Sequence, residues 1–284
     1  MDEACRSTVQ LFFLVSGFFW KPENVDHPGA YLRRLFPKLA IPFVLWAVIY
    51  LFLDWSEWLY PGVENRSWRT YVFTLWSGGI AFHLWFLPAL FVGTAIGLTL
   101  LRTFGMRCAL IGAFVLFFIG TLLGAYLRPF GIEAQLSLYR NGIFFAPIFL
   151  IAGYYLKGLT TLPSLPTFAA IAVIGAVGNL LEGIYIVGSY PNGHDLSLST
   201  LPFGVGVFGL FLHLRSEASN LASWGRDVFG AYLAHVLIMK TLIAVLAPQS
   251  SLWLIAFVIV VTLVLSLVFS RYAKKNRWLR HLAP

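Results

Sequence analysis

The sequence predicts an all-α, polytopic membrane helical bundle with about nine transmembrane helices. Three observations carry that prediction. The 284 residues are 59% hydrophobic and 17% aromatic, with a mean hydropathy of +0.79. Only 11% of them are charged, against about 25% in soluble domains, and a soluble fold could not hide so much apolar surface. Apolar runs also recur along the whole chain, and a helix needs about 20 apolar residues to cross a bilayer core.

The first run, residues 8–20, is short and spans only if residues 5–8 join its helix. Residues 21–42 ("KPENVDHPGAYLRRLFPKLAIP") read as a loop of mixed charge, with Pro37 and Pro42 flanking the entry to the second run, 39–54. The connection that follows is rich in Trp and Tyr, rings that suit a membrane interface, and its residues 70–76 suit an interfacial helix or a re-entrant piece. The third and fourth runs cover 82–101 and 108–127, and the fifth and sixth cover 142–156 and 167–188, with "TTLPSLPT" turning between the latter two. "SYPNGHDLSLS" (189–199) leads into the seventh run, 200–214, and 228–247 and 252–270 complete the set. One membrane domain thus covers 1–284 and ends in a basic tail, 271–284. There is no repeat of 20–50 residues and no inverted symmetry of the transporter kind.

The net charge of +8 is a topology signal. Counted from the first run, the odd-numbered connections and the tail hold 14 of the 20 Lys and Arg, and the even-numbered ones hold only Arg66, Arg69, Arg128 and Arg140. Cytoplasmic loops collect Lys and Arg, so the 14 face the cytoplasm, with the C-terminus among them. The tail is expected to lie along anionic headgroups. Because the basic excess follows the alternating connections, no nucleic-acid partner is expected. Nine spans ending inside would leave the N-terminus outside, so an upstream helix is expected. "MDEACRSTVQ" lacks the basic start and the cleavage site of a signal peptide. Cys5 and Cys108 form neither a CxxC pair nor a metal set, and read as unpaired thiols in a chain with no metal site.

Ionisable groups inside spans are costly and mark functional positions. Glu182 falls on one helical face with Gly175, Gly178, Asn179 and Tyr185, a small and polar stripe that should face the bundle. The plainer reading is a Glu near the outer end, satisfied by a neighbouring helix or by water. His235 and Tyr232, three residues apart, share another face and read as either a buried His–Tyr hydrogen bond or part of a site. Lys240 suits snorkelling, or pairing with Glu182. His83, beside Trp85 and Phe86, opens the third run on its outer side, where an interfacial position is the plain reading. No HExxH, Walker loop, GxGxxG after a strand or G-x-S-x-G elbow occurs.

Five segments in order resemble the acyltransferase 3 family of integral-membrane acyltransferases. "LFFLVSGFFW" (11–20) is similar to that family's second helix, and "YLRRLFPKLAIPFVLWAVIY" (31–50) to its basic cytoplasmic turn and third helix. "HLWFLPALF" (83–91) carries its H-L-W-[FY]-L signature, and "FFAPIFLIAGYYLKG" (144–158) its F-x-x-G-Y-x-[LF] helix. "WGRDVFGAYLAHVLIM" (224–239) is similar to its late G-x-x-S-[FY]-G-x-Y-L-x-H segment, with Val228 in place of the serine.

The resemblance implies a ten-helix fold with both ends cytoplasmic. It implies transfer of an acyl group, acetyl above all, from cytoplasmic acyl-CoA to a hydroxyl of an extracytoplasmic glycan or glycolipid. The setting it implies is a bacterial cytoplasmic membrane. Acetyl-CoA or another acyl-CoA would be the donor substrate, with no bound cofactor. The family's catalytic histidine lies on its first helix, which this sequence lacks, so the resemblance leaves the catalytic residue unassigned. The chain departs from the family's R-x-x-R turn as well. Arg33, Arg34 and Lys38 are the residues left to meet the donor phosphates, or they serve topology alone. His83, Trp85 and Glu182 would line the acceptor side, and Asn179, Tyr232 and His235 the polar interior. Two other functions fit the same residues: an inactive relative or assembly partner without the catalytic helix, and a glycan or glycolipid exporter. Binding of acyl-CoA separates the enzyme from the exporter.

Overall fold

The computed structural model describes residues 2–55, 83–132, 139, 141–186, 197–214, 227–246, 252–276, 279 and 281–283. The piece expected as an interfacial helix, 70–76, lies outside them, as does the outer connection up to residue 196. The helices are α1 (Asp2–Phe18), α2 (Pro22–Asp26), α3 (Pro28–Trp55), α4 (Phe86–Thr121), α5 (Ala146–Lys157), α6 (Leu165–Tyr185), α7 (Thr200–His213), α8 (Val228–Leu246) and α9 (Leu252–Lys275). No strand occurs among the described residues.

Among the described residues, five helical stretches are long and apolar enough to cross a membrane, and three shorter apolar helices accompany them. One of the five is too long for a single crossing. The 36 residues of α4 extend about 54 Å at 1.5 Å per residue, nearly twice a hydrocarbon core of about 30 Å. Gly105 resolves this with φ 72° and ψ 176°, a conformation open to glycine and strained for any other residue. A Cβ built on Gly112 would touch the Leu100 side chain, so the two halves fold back on each other at that point. Counting the halves separately, every one of the nine apolar runs has its helix. α1 begins at Asp2, so residues 5–8 do join it.

The expectation for 21–42 needs correction. Apart from the short α2, this segment belongs to α3, which starts at Pro28 and contains both Pro37 and Pro42. Proline is well placed at a helix start, where its missing N–H costs nothing. Further in, each proline removes the donor for the carbonyl four residues earlier, here those of Arg33 and Lys38. The surrounding Leu, Ala, Arg and Lys are good helix formers, and a membrane offers apolar backbone no better conformation.

The chain gathers into two compact units. The first comprises 1–36 and 86–215. Its centre is aromatic: Phe13 meets Phe86 at 4.8 Å between centroids, and Phe145 meets Phe149 at 4.9 Å. Phe13, Phe117 and Phe149 are fully buried. α1 packs against α5 through glycine. A Cβ on Gly17 would run into the Leu150 carbonyl, and one on Gly153 into the Leu14 carbonyl. α6 and α7 approach in the same way, Gly175 against Phe203 and Gly206 against Ala172. Small residues let backbones close in, which is how helices gain contact where lipid supplies no hydrophobic drive. Lys157 Nζ donates to the Trp20 carbonyl (2.6 Å), satisfying the backbone just past the end of α1.

The second unit comprises 37–85 and 216–284. α8 packs on α9, whose buried residues Val258, Thr262, Ser266 and Ser270 repeat every four positions. Asp227, at the head of α8, accepts from Arg271 Nε (2.6 Å) and lies 3.7 Å from Lys274 Nζ. The Leu282 carbonyl accepts from Trp46 Nε1 (2.8 Å), and Ala283 is fully buried beside Gly230.

Candidate functional site

Among the described residues, each unit holds a polar group that contains sequence-predicted site residues. The first unit holds Glu182. Its Oε1 accepts from the Tyr126 hydroxyl (2.8 Å) and from Ser199 Oγ (3.0 Å), and its carboxylate also receives the Ser199 backbone N–H. One turn earlier, Asn179 Oδ1 accepts from Ser197 Oγ (2.6 Å) and from Thr200 Oγ1 (3.3 Å). Ser199 is the residue before α7. The first N–H groups of a helix have no partner within it. Glu182 and Asn179 therefore bind the head of α7 from α6, and this is the neighbouring-helix satisfaction that the plainer sequence reading describes. Gly175, Gly178, Asn179 and Glu182 do line the packed side of α6, but Tyr185 does not, being 79% exposed.

The second unit gathers His83, Tyr232 and His235 with a residue the sequence reading missed, Tyr50. The His83 ring lies 5.1 Å from His235, 5.2 Å from Tyr50 and 5.7 Å from Tyr232 between centroids. The turn at 83–85 is tied to α8 twice. The Tyr232 hydroxyl donates to the His83 carbonyl, and His83 Nε2 faces the Leu233 carbonyl at 3.4 Å. A carbonyl only accepts, so the His83 nitrogen facing it carries the proton. The Tyr50 hydroxyl donates to the same Leu233 carbonyl (3.2 Å) and accepts from the Leu237 N–H (3.2 Å). An α-helix ordinarily pairs those two backbone groups with each other. Tyr50 thus engages the α8 ladder on either side of His235. His235 Nδ1 in turn faces the Tyr232 carbonyl.

His83 and Trp85 are both enclosed by protein, 4% and 7% exposed. At 1.5 Å per residue, His235 lies about 12 Å along α8 from the charged group at Asp227 and about 16 Å from Leu246. The cluster is therefore inside the helix span. Asn179 belongs with Glu182 in the first unit, whereas Tyr232 and His235 belong with His83 in the second.

Arg33, Arg34 and Lys38 are exposed along α3. Arg34 and Lys38 are one turn apart, and Arg34 Nε reaches the Ala30 carbonyl of its own helix (3.2 Å). Lys240 lies further along α8, and Cys108 is an exposed free thiol. Besides Tyr50, sequence reasoning missed Tyr126, Ser197, Ser199 and Thr200. The run "SLST" before an apolar segment was a legible helix-start signal. Tyr50 had none, since a tyrosine near the end of an apolar run suits an interface equally well.

The chain is 27% identical over 297 aligned residues to a serine/alanine racemase from Enterococcus gallinarum, an alignment covering 97% of this chain and 42% of that protein. It is 31% identical over 165 residues to an amino-acid racemase from Enterococcus faecalis, covering 52% of this chain and 22% of the relative. The chain thus spans less than half the length of the curated relatives it matches. No solved structure matches it significantly. A family model of the acyltransferase domain matches residues 3–271, nearly the whole helical array described above, and the chain belongs to that family, acyltransferase 3.

Proposed function

We propose that this protein transfers an acyl group, acetyl in the first instance, from cytoplasmic acyl-CoA to a hydroxyl of an extracytoplasmic glycan or glycolipid. The match to the acyltransferase domain over residues 3–271 is the observation that carries this reading. A neutral sugar hydroxyl is a poor nucleophile and needs a base to take its proton. The thioester oxygen, which gains charge in the transition state, needs a donor. The imidazole and phenol groups around His83 supply both kinds of function inside a helix span. Arg33, Arg34 and Lys38 offer exposed positive charge to the donor's phosphates, the arginines as forks and the lysine as a point charge. On this reading the basic connections, the Gly105 fold and the C-terminus face the cytoplasm.

The test uses native membrane vesicles containing the full chain and 14C-labelled acetyl-CoA. Label should pass to membrane glycans or lipids, or appear as acetate. Replacing Arg33, Arg34 and Lys38 together by Ala should weaken acetyl-CoA binding by about tenfold or more, and added salt should reduce wild-type binding in the same direction. A wild-type protein that neither binds acetyl-CoA nor turns it over overturns the proposal.

A second reading has its own support. The relatives are named as racemases, and this chain matches only 42% and 22% of their lengths. A membrane module of this type would then serve chemistry carried by another polypeptide segment, with no acyl-CoA involved. The same binding measurement decides between the two.

A further inference from the structure

We propose that residues 281–283 form a reversible latch, whose seating on α3, α8 and α9 sets the Tyr50–His83 cluster of the second unit. The Leu279 N–H bonds to the Asn276 carbonyl (3.2 Å) and the Leu282 N–H to the Leu279 carbonyl (2.9 Å), which turns the chain back from the end of α9. The Leu282 carbonyl then accepts from Trp46 Nε1 of α3 (2.8 Å). Trp46 is 2% exposed, so this bond gives a buried indole N–H its partner. Ala283 seats beside α8 and α9. A Cβ built on Gly230 of α8 would run into the Ala283 methyl and into Ser270 Oγ of α9. Three small residues meet there, and a larger side chain at 283 would displace its neighbours.

The seat is close to balance, which makes it a latch. A hydrogen bond and a methyl group hold it. Opposing it is Ser270, whose hydroxyl is fully buried and meets no hydrogen-bond partner among the described residues. A buried hydroxyl without a partner carries its full desolvation cost. Lifting Ala283 returns that hydroxyl to polar surroundings. α8 and α9 have their own clamp at this end. Asp227, at the head of α8, accepts from Arg271 Nε of α9 (2.6 Å) and lies 3.7 Å from Lys274 Nζ.

Trp46 carries the state of the latch inward. It lies one turn from Tyr50 on α3, with the rings 5.6 Å apart and inclined at 31°. Phe269 of α9 backs the indole at 6.1 Å. Tyr50 in turn bonds to the Leu233 carbonyl and the Leu237 N–H, and its ring meets His83 edge-on at 5.2 Å. With the latch seated, the indole has one orientation and Tyr50 a fixed neighbour. With it lifted, the indole is free to turn, and the stretch of α8 held by Tyr50 loses support. A two-state element at one end of a packed series biases the other end. The device acts on whatever chemistry the cluster serves and does not require acyl transfer.

Hydrogen–deuterium exchange with mass spectrometry, on the full chain in lipid nanodiscs, tests this without an activity assay. A latch in equilibrium predicts that the amides of 281–283 exchange more slowly than in an unstructured peptide and faster than those of 231–237 in α8. Ser270→Ala removes the unpartnered hydroxyl and should slow exchange at 281–283 by about fivefold or more. Ala283→Asp unseats the segment and leaves Trp46 in place. It should bring 281–283 to the unstructured rate and speed exchange at 231–237 by about threefold or more. Trp46→Phe keeps an aromatic ring and loses the N–H, and should speed exchange at 281–283 by about fivefold. Wild-type exchange at 281–283 at the unstructured rate, or no change there in Trp46→Phe, overturns the seat. Wild-type exchange there as slow as at 231–237, or no slowing in Ser270→Ala, overturns the reversibility. An Ala283→Asp protein with 231–237 unchanged overturns the coupling to Tyr50.

Discussion

Glu182 receives donors from three directions: the Tyr126 hydroxyl, the Ser199 hydroxyl and the Ser199 backbone N–H. A carboxylate saturated in this way ties the π-turn at Leu122–Tyr126 and the head of α7 to α6. Its position among glycines on an apolar helix was legible as a mark of importance, but its partners were not. Ser199 is 17 residues away and Tyr126 is 56 away, and no periodicity joins such distances. The geometry argues for a structural task, and substitution separates that from an acceptor-binding one. Glu182→Ala leaves three donors without their acceptor, and hydrogen bonds to a charged group are worth about 1.5–3 kcal/mol each. Partial exposure lets water replace some of this, so the net loss should be about 2 kcal/mol, a fall of several degrees in the melting temperature of detergent-solubilised protein. Glu182→Gln keeps one acceptor oxygen and should lose about half as much. In neither variant should acetyl-CoA turnover per folded molecule change by more than about twofold. A large drop in turnover with normal melting would place Glu182 at the acceptor instead.

Among elements, hydropathy located every run. The entry to α3 was misread because proline and charge are loop signals in water and weaker ones in lipid, where leaving a helix strands backbone groups without partners. Packing partners were legible only as small residues awaiting a neighbour, and the structure supplies the neighbours. Gly153 lies where a side chain would meet the Leu14 carbonyl, whereas a Cβ on Gly29, in the first turn of α3, would meet nothing within 4 Å. These two glycines should respond oppositely to the same change. Gly153→Ala forces α1 and α5 apart and should cost about 3 kcal/mol, at the upper end for overpacking. Gly29→Ala adds helix propensity without a clash and should stabilise by about 0.5–1 kcal/mol. Thermal unfolding of the two variants side by side gives the sign directly. A Gly153→Ala protein that melts with the wild type would mean that α1 and α5 do not pack as closely as the Gly17–Leu150 and Gly153–Leu14 contacts require.

For the molecule as a whole, composition settled the solvent and the helical class. The same composition could not divide the chain into units, since each is assembled from two separate stretches of sequence. Nor could it bring Tyr50 to α8, a pairing that spans 183 residues. Sidedness is the whole-molecule property that charge does address, and the Gly105 fold offers a native reporter for it. Arg102, Arg107 and Cys108 are all exposed at that fold. If basic connections face the cytoplasm, the Cys108 thiol faces it too. A membrane-impermeant maleimide should therefore label inverted vesicles and leave intact cells unlabelled until they are permeabilised. Cys108→Ser should abolish the signal, which separates this thiol from Cys5. Labelling of Cys108 in intact cells would invert the orientation. The exposed arginines of α3 would then lie on the side opposite to the acyl-CoA pool, and the donor role assigned to them would fail with it.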